Sequence, residues 1–172
     1  MKIKRLFPIF TIIALLILPS CFNDSEDADY SNWRNMNQKY LDSIATVTEN
    51  GKLVYTEISP VWDKSFSIWM KWHNNPDENP SYITPLSNST CHIKYTLTAI
   101  TGDTLDSSPS YKCIPNNMIT GFMAALCNMR VNDTVTAVIP YTAGYGNYGS
   151  GSIPPYTTLV FGIRLDSISK LM

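Results

Sequence analysis

The chain has almost no excess of charge of either sign: its 172 residues hold 13 Lys+Arg against 14 Asp+Glu, a formal net charge of -1. Without a basic field there is no electrostatic drive toward nucleic-acid phosphates, so DNA or RNA is not an expected partner. Histidine is scarce. The only two, His73 and His92, fall in strand-like segments and lack the H-E-x-x-H spacing that offers two imidazoles to a zinc ion; they read as exposed strand residues. No G-x-S-x-G nucleophile elbow is present. The glycine-rich stretch 145–151 lacks the Gly-Lys-Ser/Thr ending that cradles phosphates and reads as a flexible hairpin loop. Asp103, Asp106, Asp133 and Asp166 are scattered near turns, where aspartate is favoured by local backbone chemistry, and suggest no glycosidase pair. No cofactor and no metal are expected.

A membrane-spanning apolar run is also missing. Lys2, Lys4 and Arg5 precede the uncharged stretch Leu6 to Leu18, well short of the roughly 20 residues a helix needs to cross a bilayer. Residues 1–20 therefore read as a secretory signal. Leu18-Pro19-Ser20-Cys21 resembles a bacterial lipobox, which implies lipidation of Cys21 and a membrane partner reached through several acyl chains. The expected location is the cell envelope, on the outer membrane, either periplasmic or surface-exposed. Residues 21–30 are polar and acidic and read as a tether; an acidic patch directly behind Cys21 also resembles the surface-export signal of Bacteroides-group lipoproteins.

What is abundant is core material, 44% hydrophobic and 12% aromatic residues, enough for one folded domain. Over 31–50, Trp33, Met36, Tyr40, Ile44 and Val47, with Asn37 and Leu41, recur at helical spacing. An amphipathic helix follows, capped by Ser31 or Asn32, ended by Asn50-Gly51, and expected to dock on the domain behind it or to pair with a second copy. From 51 to 172 the period is two. Phe66, Ile68, Met70 and Trp72 alternate with polar residues and Trp69; Cys91, Ile93, Tyr95, Leu97 and Ala99 share a face, as do Leu159, Phe161, Ile163 and Leu165. Thr101-Gly102-Asp103 turns the chain, Ile119, Phe122, Met123 and Leu126 mark a short helix, and Val135 to Ile139 is another strand. Linkers this short give an α+β class, an antiparallel β-sheet wrapped around one short α-helix and preceded by the N-terminal amphipathic helix.

Several motifs occur in one order. Tyr95-Thr96 is followed by Gly102-Asp103-Thr104-Leu105-Asp106-Ser107-Ser108; then come Met118-Ile119-Thr120-Gly121-Phe122, the turn Met129-Arg130-Val131-Asn132-Asp133, Tyr145-Gly146, and Ile153-Pro154-Pro155-Tyr156-Thr157-Thr158-Leu159-Val160-Phe161. Over about 85–168 these resemble FKBP-type peptidyl-prolyl cis-trans isomerases, with Y-T-G…D-G-x-x-F-D-S-S, V-I-x-G-W, M-x-x-G-x, Y-G and I-P-P-x-x-x-L-V-F. The resemblance implies a prolyl pocket with Tyr95, Asp106, Ile119, Phe122, Tyr145 and Phe161 as its catalytic residues and Leu105, Tyr111, Met118 and Ile153 contacting substrate. Phe122 is then its floor, the Ile119 N–H and the Tyr145 hydroxyl hold substrate carbonyls, and Asp106 orients the pocket. It also implies proline-containing polypeptides as partners, and macrolide-type inhibitors. Phe122 replaces the family's tryptophan, Leu105 a phenylalanine and Leu97 the Tyr-Thr-Gly glycine, so the pocket is expected to be wider and less aromatic. Besides a folding isomerase for exported proteins, two readings stay open: a catalytically weak or inactive peptide-binding or chaperone lipoprotein on the same fold, and a glycan-binding lipoprotein using Trp62, Trp69 and Trp72.

Beyond Cys21 there are three thiols, Cys91, Cys113 and Cys127. In an oxidising space one pair can form; with Cys91 on the core face of its strand, Cys113–Cys127 is the expected bridge.

Overall fold

The structure, a computed structural model, describes residues 24–170, with side chains from Tyr30 to Ser169. The expected signal at 1–20 and Cys21 lie outside the described residues, and among those described no helix is long and apolar enough to cross a membrane.

Helix α1 spans Asp24–Ile44. It starts earlier than Ser31, so the acidic stretch read as a tether is helical from Asp24. The run 24–44 holds no glycine or proline to break it. The helix stops at Ile44 because Asn50-Gly51 serves a different purpose. With φ of 51° and 74°, the pair makes the tight turn between β1 (Thr48–Glu49) and β2 (Lys52–Leu53), the left-handed turn that Asn-Gly supplies most readily in a hairpin.

The main sheet has six strands, β3 (Thr56–Ile58), β4 (Ile68–Trp72), β5 (Thr90–Thr98), β6 (Thr104–Cys113), β7 (Thr134–Ile139) and β8 (Leu159–Lys170), in the order β3-β4-β7-β8-β5-β6. Every neighbouring pair is antiparallel. One face carries Ile68, Met70, Cys91, Ile93, Leu97, Val135, Ala137, Ile139, Leu159, Phe161, Ile163 and Leu165. Helix α2 (Thr120–Cys127) closes this core with Phe122, Ala125 and Leu126.

On the opposite face the register sets Trp69 beside Val138 and Val138 beside Val160, an apolar stripe that cannot be left in water. Leu41 and Ile44 of α1 cover it, with Tyr40 and Tyr55 alongside; burying each of these aliphatic chains contributes about 1.5–3 kcal/mol. Two polar links set the angle. Trp33 Nε1 donates to Thr157 Oγ1 at 3.0 Å, and Asn37 Oδ1 accepts from the Thr158 N–H at 2.7 Å. The docking stripe is thus Trp33, Asn37, Leu41 and Ile44, while Met36 and Val47 are exposed. Trp69 faces α1 and Trp72 the main core, so the tryptophans form no common platform for a sugar.

Asp133 is not a surface turn residue, as its position in sequence suggests, but is 1% exposed. Its carboxylate accepts from the Arg130 N–H at 2.8 Å, Asn74 Nδ2 at 2.9 Å and Asn79 Nδ2 at 2.6 Å. Asn132, at φ 75°, fills the left-handed turn position that precedes it, a conformation asparagine tolerates.

The expected Cys113–Cys127 bridge is absent: Cys91, Cys113 and Cys127 are free thiols. The reason is register, because β6 brings Cys113 directly opposite Cys91 on the core face. Burial pushes the Cys91 thiol up to about 12 and Cys113 to about 11, and raises Cys127. Thiolates are therefore scarce at neutral pH. On a fragment beginning at Phe22, an aromatic disulfide reagent is expected to react slowly with the native protein and to count three thiols once it is unfolded in urea; a count of one would mean a bridge.

Candidate active site

The site is built where β5, β6, β8 and α2 meet. Tyr95, the one residue of the β5 core face that is not fully covered, lies where the sheet edge opens. Opposite it β6 carries a bulge: Ile93 pairs with Tyr111, yet Tyr95 pairs with Ser108, one residue more on β6 than on β5. The extra residue falls at Ser108-Pro109-Ser110, where Ser108 Oγ donates to the Ser110 carbonyl at 3.0 Å. A bulge of this kind re-aims the side chains around it. Here the Tyr111 ring stands edge-on to Tyr95, centroids 5.5 Å apart.

Four rings form a continuous wall. Tyr95 lies 6.5 Å from Phe122 and 6.2 Å from Phe161, and Phe122 meets Phe161 at 4.8 Å, all in inclined rather than stacked arrangements; such edge contacts add about 0.5–1.5 kcal/mol each beyond area burial. Phe122 is 1% exposed and lies with Phe161 and Ile153 in the buried core, against which Leu105, Met118, Ile119 and Tyr145 pack while partly open. Tyr111 and Met118 also line a surface depression of about 380 Å³.

One hydrogen bond joins the wall to charge: Tyr95 Oη donates to Asp106 Oδ2 at 2.6 Å, while Asp106 Oδ1 accepts from the Ser107 N–H at 2.8 Å. Burial, then the Asp106 bond and charge, raise the Tyr95 phenol; burial followed by the charge of Asp106 raises Tyr145. Both tyrosines keep their protons through neutral and mildly alkaline pH, so they remain hydrogen-bond donors. Ile119 is the N-cap of α2, and its carbonyl takes the N–H groups of Phe122 and Met123 at 3.0 Å.

The loop carrying Tyr145 and Ile153 is held by a close backbone approach. At Gly149, φ is 70°, and a Cβ would stand 2.2 Å from the Ile153 carbonyl oxygen, so only glycine fits where the loop folds on itself. The Ser150 and Ile153 backbones then bond reciprocally.

Of the ten pocket residues expected from sequence, five are linked by ring contacts or the Tyr95–Asp106 bond, and Leu105, Met118, Ile119, Tyr145 and Ile153 belong to or pack against the same large core cluster. Among the described residues no group of histidine, cysteine or carboxylate side chains is arranged to hold a metal. Residues 82–166 match the family described as FKBP-type peptidyl-prolyl cis-trans isomerase. Over these residues the chain is similar to that family. It is 36% identical over 91 residues to a macrophage infectivity potentiator of Trypanosoma cruzi, covering 49% of this chain and 45% of that protein. It is 35% identical over 86 residues to an FKBP-type 22 kDa peptidyl-prolyl cis-trans isomerase of Escherichia coli, covering 47% and 42%. The chain thus spans less than half the length of these curated relatives. A solved peptidyl-prolyl cis-trans isomerase from Pseudomonas syringae shares the fold, with a TM-score of 0.65 at 24% identity over 82% of this chain and 96% of that one.

Proposed function

We propose that this protein is a peptidyl-prolyl cis-trans isomerase that acts on Xaa-Pro bonds of exported polypeptides at the cell envelope, held there by lipid on Cys21 in the manner of a Bacteroides-type lipoprotein. The observation that carries this reading is the aromatic wall of Tyr95, Tyr111, Phe122 and Phe161, tied to Asp106 by a single short bond.

An amide rotates slowly because about 18–20 kcal/mol of resonance must be lost at the twisted transition state. The planar amide carries more charge separation than the twisted one, so an apolar enclosure disfavours the ground state more than the transition state. Neither nucleophile nor metal is required. In this scheme Phe122, Phe161 and Ile153 seat the proline ring, Leu105 and Met118 flank it, the Tyr145 hydroxyl and Ile119 N–H hold the neighbouring carbonyls, and Asp106 fixes Tyr95. The same enclosure suits macrolide-type inhibitors. Leucine at 105 and phenylalanine at 122 enlarge it relative to the family pattern, which favours, as a second reading, a chaperone that grips proline segments with little turnover.

The test is the exchange rate between cis and trans forms of a short Xaa-Pro peptide, followed by NMR on the fragment from Phe22. Acceleration that falls about tenfold in Tyr145→Ala, with circular dichroism unchanged, is the expected result; a folded protein that binds the peptide without accelerating exchange supports the second reading instead.

A further inference from the structure

A second concavity of about 510 Å³ lies on the other side of the loop that carries Tyr145, between α1 and the segment 141–156. Its centre is Arg34. The guanidinium stands 5.0 Å from the Tyr156 ring centroid and 5.8 Å from that of Tyr141, and Nη2 donates to the Tyr141 hydroxyl at 3.3 Å. The two tyrosine rings pack edge to face at 5.3 Å, and Tyr156 takes a φ of 60°, a left-handed conformation unusual for a bulky residue.

The remaining walls are Tyr30, Ser31, Asn35 and Gln38, so among the described residues no carboxylate lines the concavity. Among the described residues none forms a salt bridge with Arg34 either, whereas the charges of Lys94 and Arg164 are both met by Asp166. A guanidinium braced on aromatic faces, with amide side chains at its rim and no salt bridge among the described residues, is a receptor for a carboxylate.

The groove is joined to the prolyl pocket through backbone: the Gly146 N–H donates to the Tyr141 carbonyl at 2.8 Å and the Tyr156 N–H to the Gly146 carbonyl at 3.0 Å, so Tyr145 sits on the loop whose two ends, Tyr141 and Tyr156, wall the groove. We infer that the Arg34–Tyr141–Tyr156 groove is a second subsite for the client chain, selecting polypeptides with an Asp or Glu side chain a few residues from the proline. This rests on the prolyl-isomerase reading of the neighbouring pocket and names a substrate preference for it. It also gives α1 a task beyond covering the sheet, since without the helix the groove has one wall.

The test measures Kd by fluorescence anisotropy for a pair of labelled ten-residue peptides, each with one central Xaa-Pro and flanked on both sides by either Glu or Gln. The wild-type protein is expected to bind the Glu peptide about three- to tenfold more tightly, the gain of a charge-assisted bond at a half-open site. The ratio is expected to shrink in high salt, to fall to about one in Arg34→Gln, to survive in part in Arg34→Lys, and to remain in Lys39→Gln, which removes a charge from the same helix outside the groove. Equal affinities for the two peptides, no binding of either, or a preference untouched by Arg34→Gln overturn the inference, as does a neutral oligosaccharide that binds while the peptides do not discriminate. Exchange rates recorded on the same peptides separate the two claims: acceleration of both peptides with equal Kd values removes the subsite and leaves the isomerase standing, whereas charge-selective binding without acceleration does the reverse.

Discussion

In urea titrations at pH 7, Asp133→Ala is expected to lose about 3–5 kcal/mol of stability, the range for removing one member of a buried charged network. The carboxylate is the common acceptor for the Arg130 N–H, Asn74 Nδ2 and Asn79 Nδ2. Its removal takes the acceptor from the Arg130 N–H and Asn74 Nδ2 and leaves Asn79 Nδ2 only its bond to the Val131 carbonyl, and each unsatisfied buried group costs about 1–3 kcal/mol. Asn74 also accepts from the Thr134 N–H at 2.8 Å, so the same network pins the start of β7 to the chain leaving β4. The effect carries a pH signature. Burial pushes the Asp133 carboxyl up, but the Arg130 N–H and the side chains of Asn74, Asn79 and Trp72 outweigh it and hold the group below the ordinary carboxylate value. A depressed folded-state value means that the contribution is present above the unfolded pKa, near 4, and disappears as pH falls through the folded one. The gap in unfolding free energy between wild type and Asp133→Ala is therefore expected to be widest near neutrality and to narrow below pH 4. A gap under 0.5 kcal/mol, or one that does not change with pH, would show that the network is incidental to stability.

Asp133 also shows where sequence reading stops. In the chain it is one of four aspartates beside turns, and nothing local distinguishes it; what buries it are Asn74 and Asn79, more than fifty residues earlier. Legible elements are those whose signal is a period. The alternation of β5 and β8 and the spacing of α2 follow from faces that must be apolar, and the structure buries those faces. Strand β6 has no such period: its residues are mostly exposed, it sits at the sheet edge, and Pro109 interrupts it at the bulge. Since β6 was not legible, neither was the pairing of Cys113 with Cys91. Asn50-Gly51 failed for another reason, because Asn-Gly ends helices and turns hairpins alike, and only the strands on either side decide between them.

The pocket was expected from motifs in one order, and of its residues the structure sets the rings of Tyr95, Tyr111, Phe122 and Phe161 against one another. The groove around Arg34 was not, because Arg34 lies over a hundred residues from Tyr141 and Tyr156 and neither it nor Tyr141 stands in a motif. Their meeting depends on the angle at which α1 crosses the sheet, set by the Trp33–Thr157 and Asn37–Thr158 bonds.

For the proposed isomerase activity, the variant with the largest expected effect is Asp106→Ala. Asp106 touches the pocket through the Tyr95 hydroxyl at 2.6 Å, a charge-assisted bond of the kind worth about 1.5–3 kcal/mol. Without it the Tyr95 ring is free to turn about its side-chain torsions, and the wall that Tyr95 shares with Tyr111, Phe122 and Phe161 loses its fixed edge. Losing that much from the transition state corresponds to a fall in kcat/KM of about ten- to a hundredfold. Asp106 itself is exposed on the edge strand, so the fold is expected to survive, with unchanged circular dichroism and less than about 1 kcal/mol lost in urea. Tyr95→Phe keeps the ring and removes only the donor. If both residues act through this bond, the double variant is expected to be no slower than Asp106→Ala alone, whereas independent roles would multiply the two losses. Because the Tyr95 and Tyr145 phenols both titrate above their ordinary value, wild-type kcat/KM is expected to show no alkaline fall between pH 7 and about 9. A fall within that window, or single losses that multiply in the double variant, would mean that Asp106 serves the reaction by some route other than holding Tyr95.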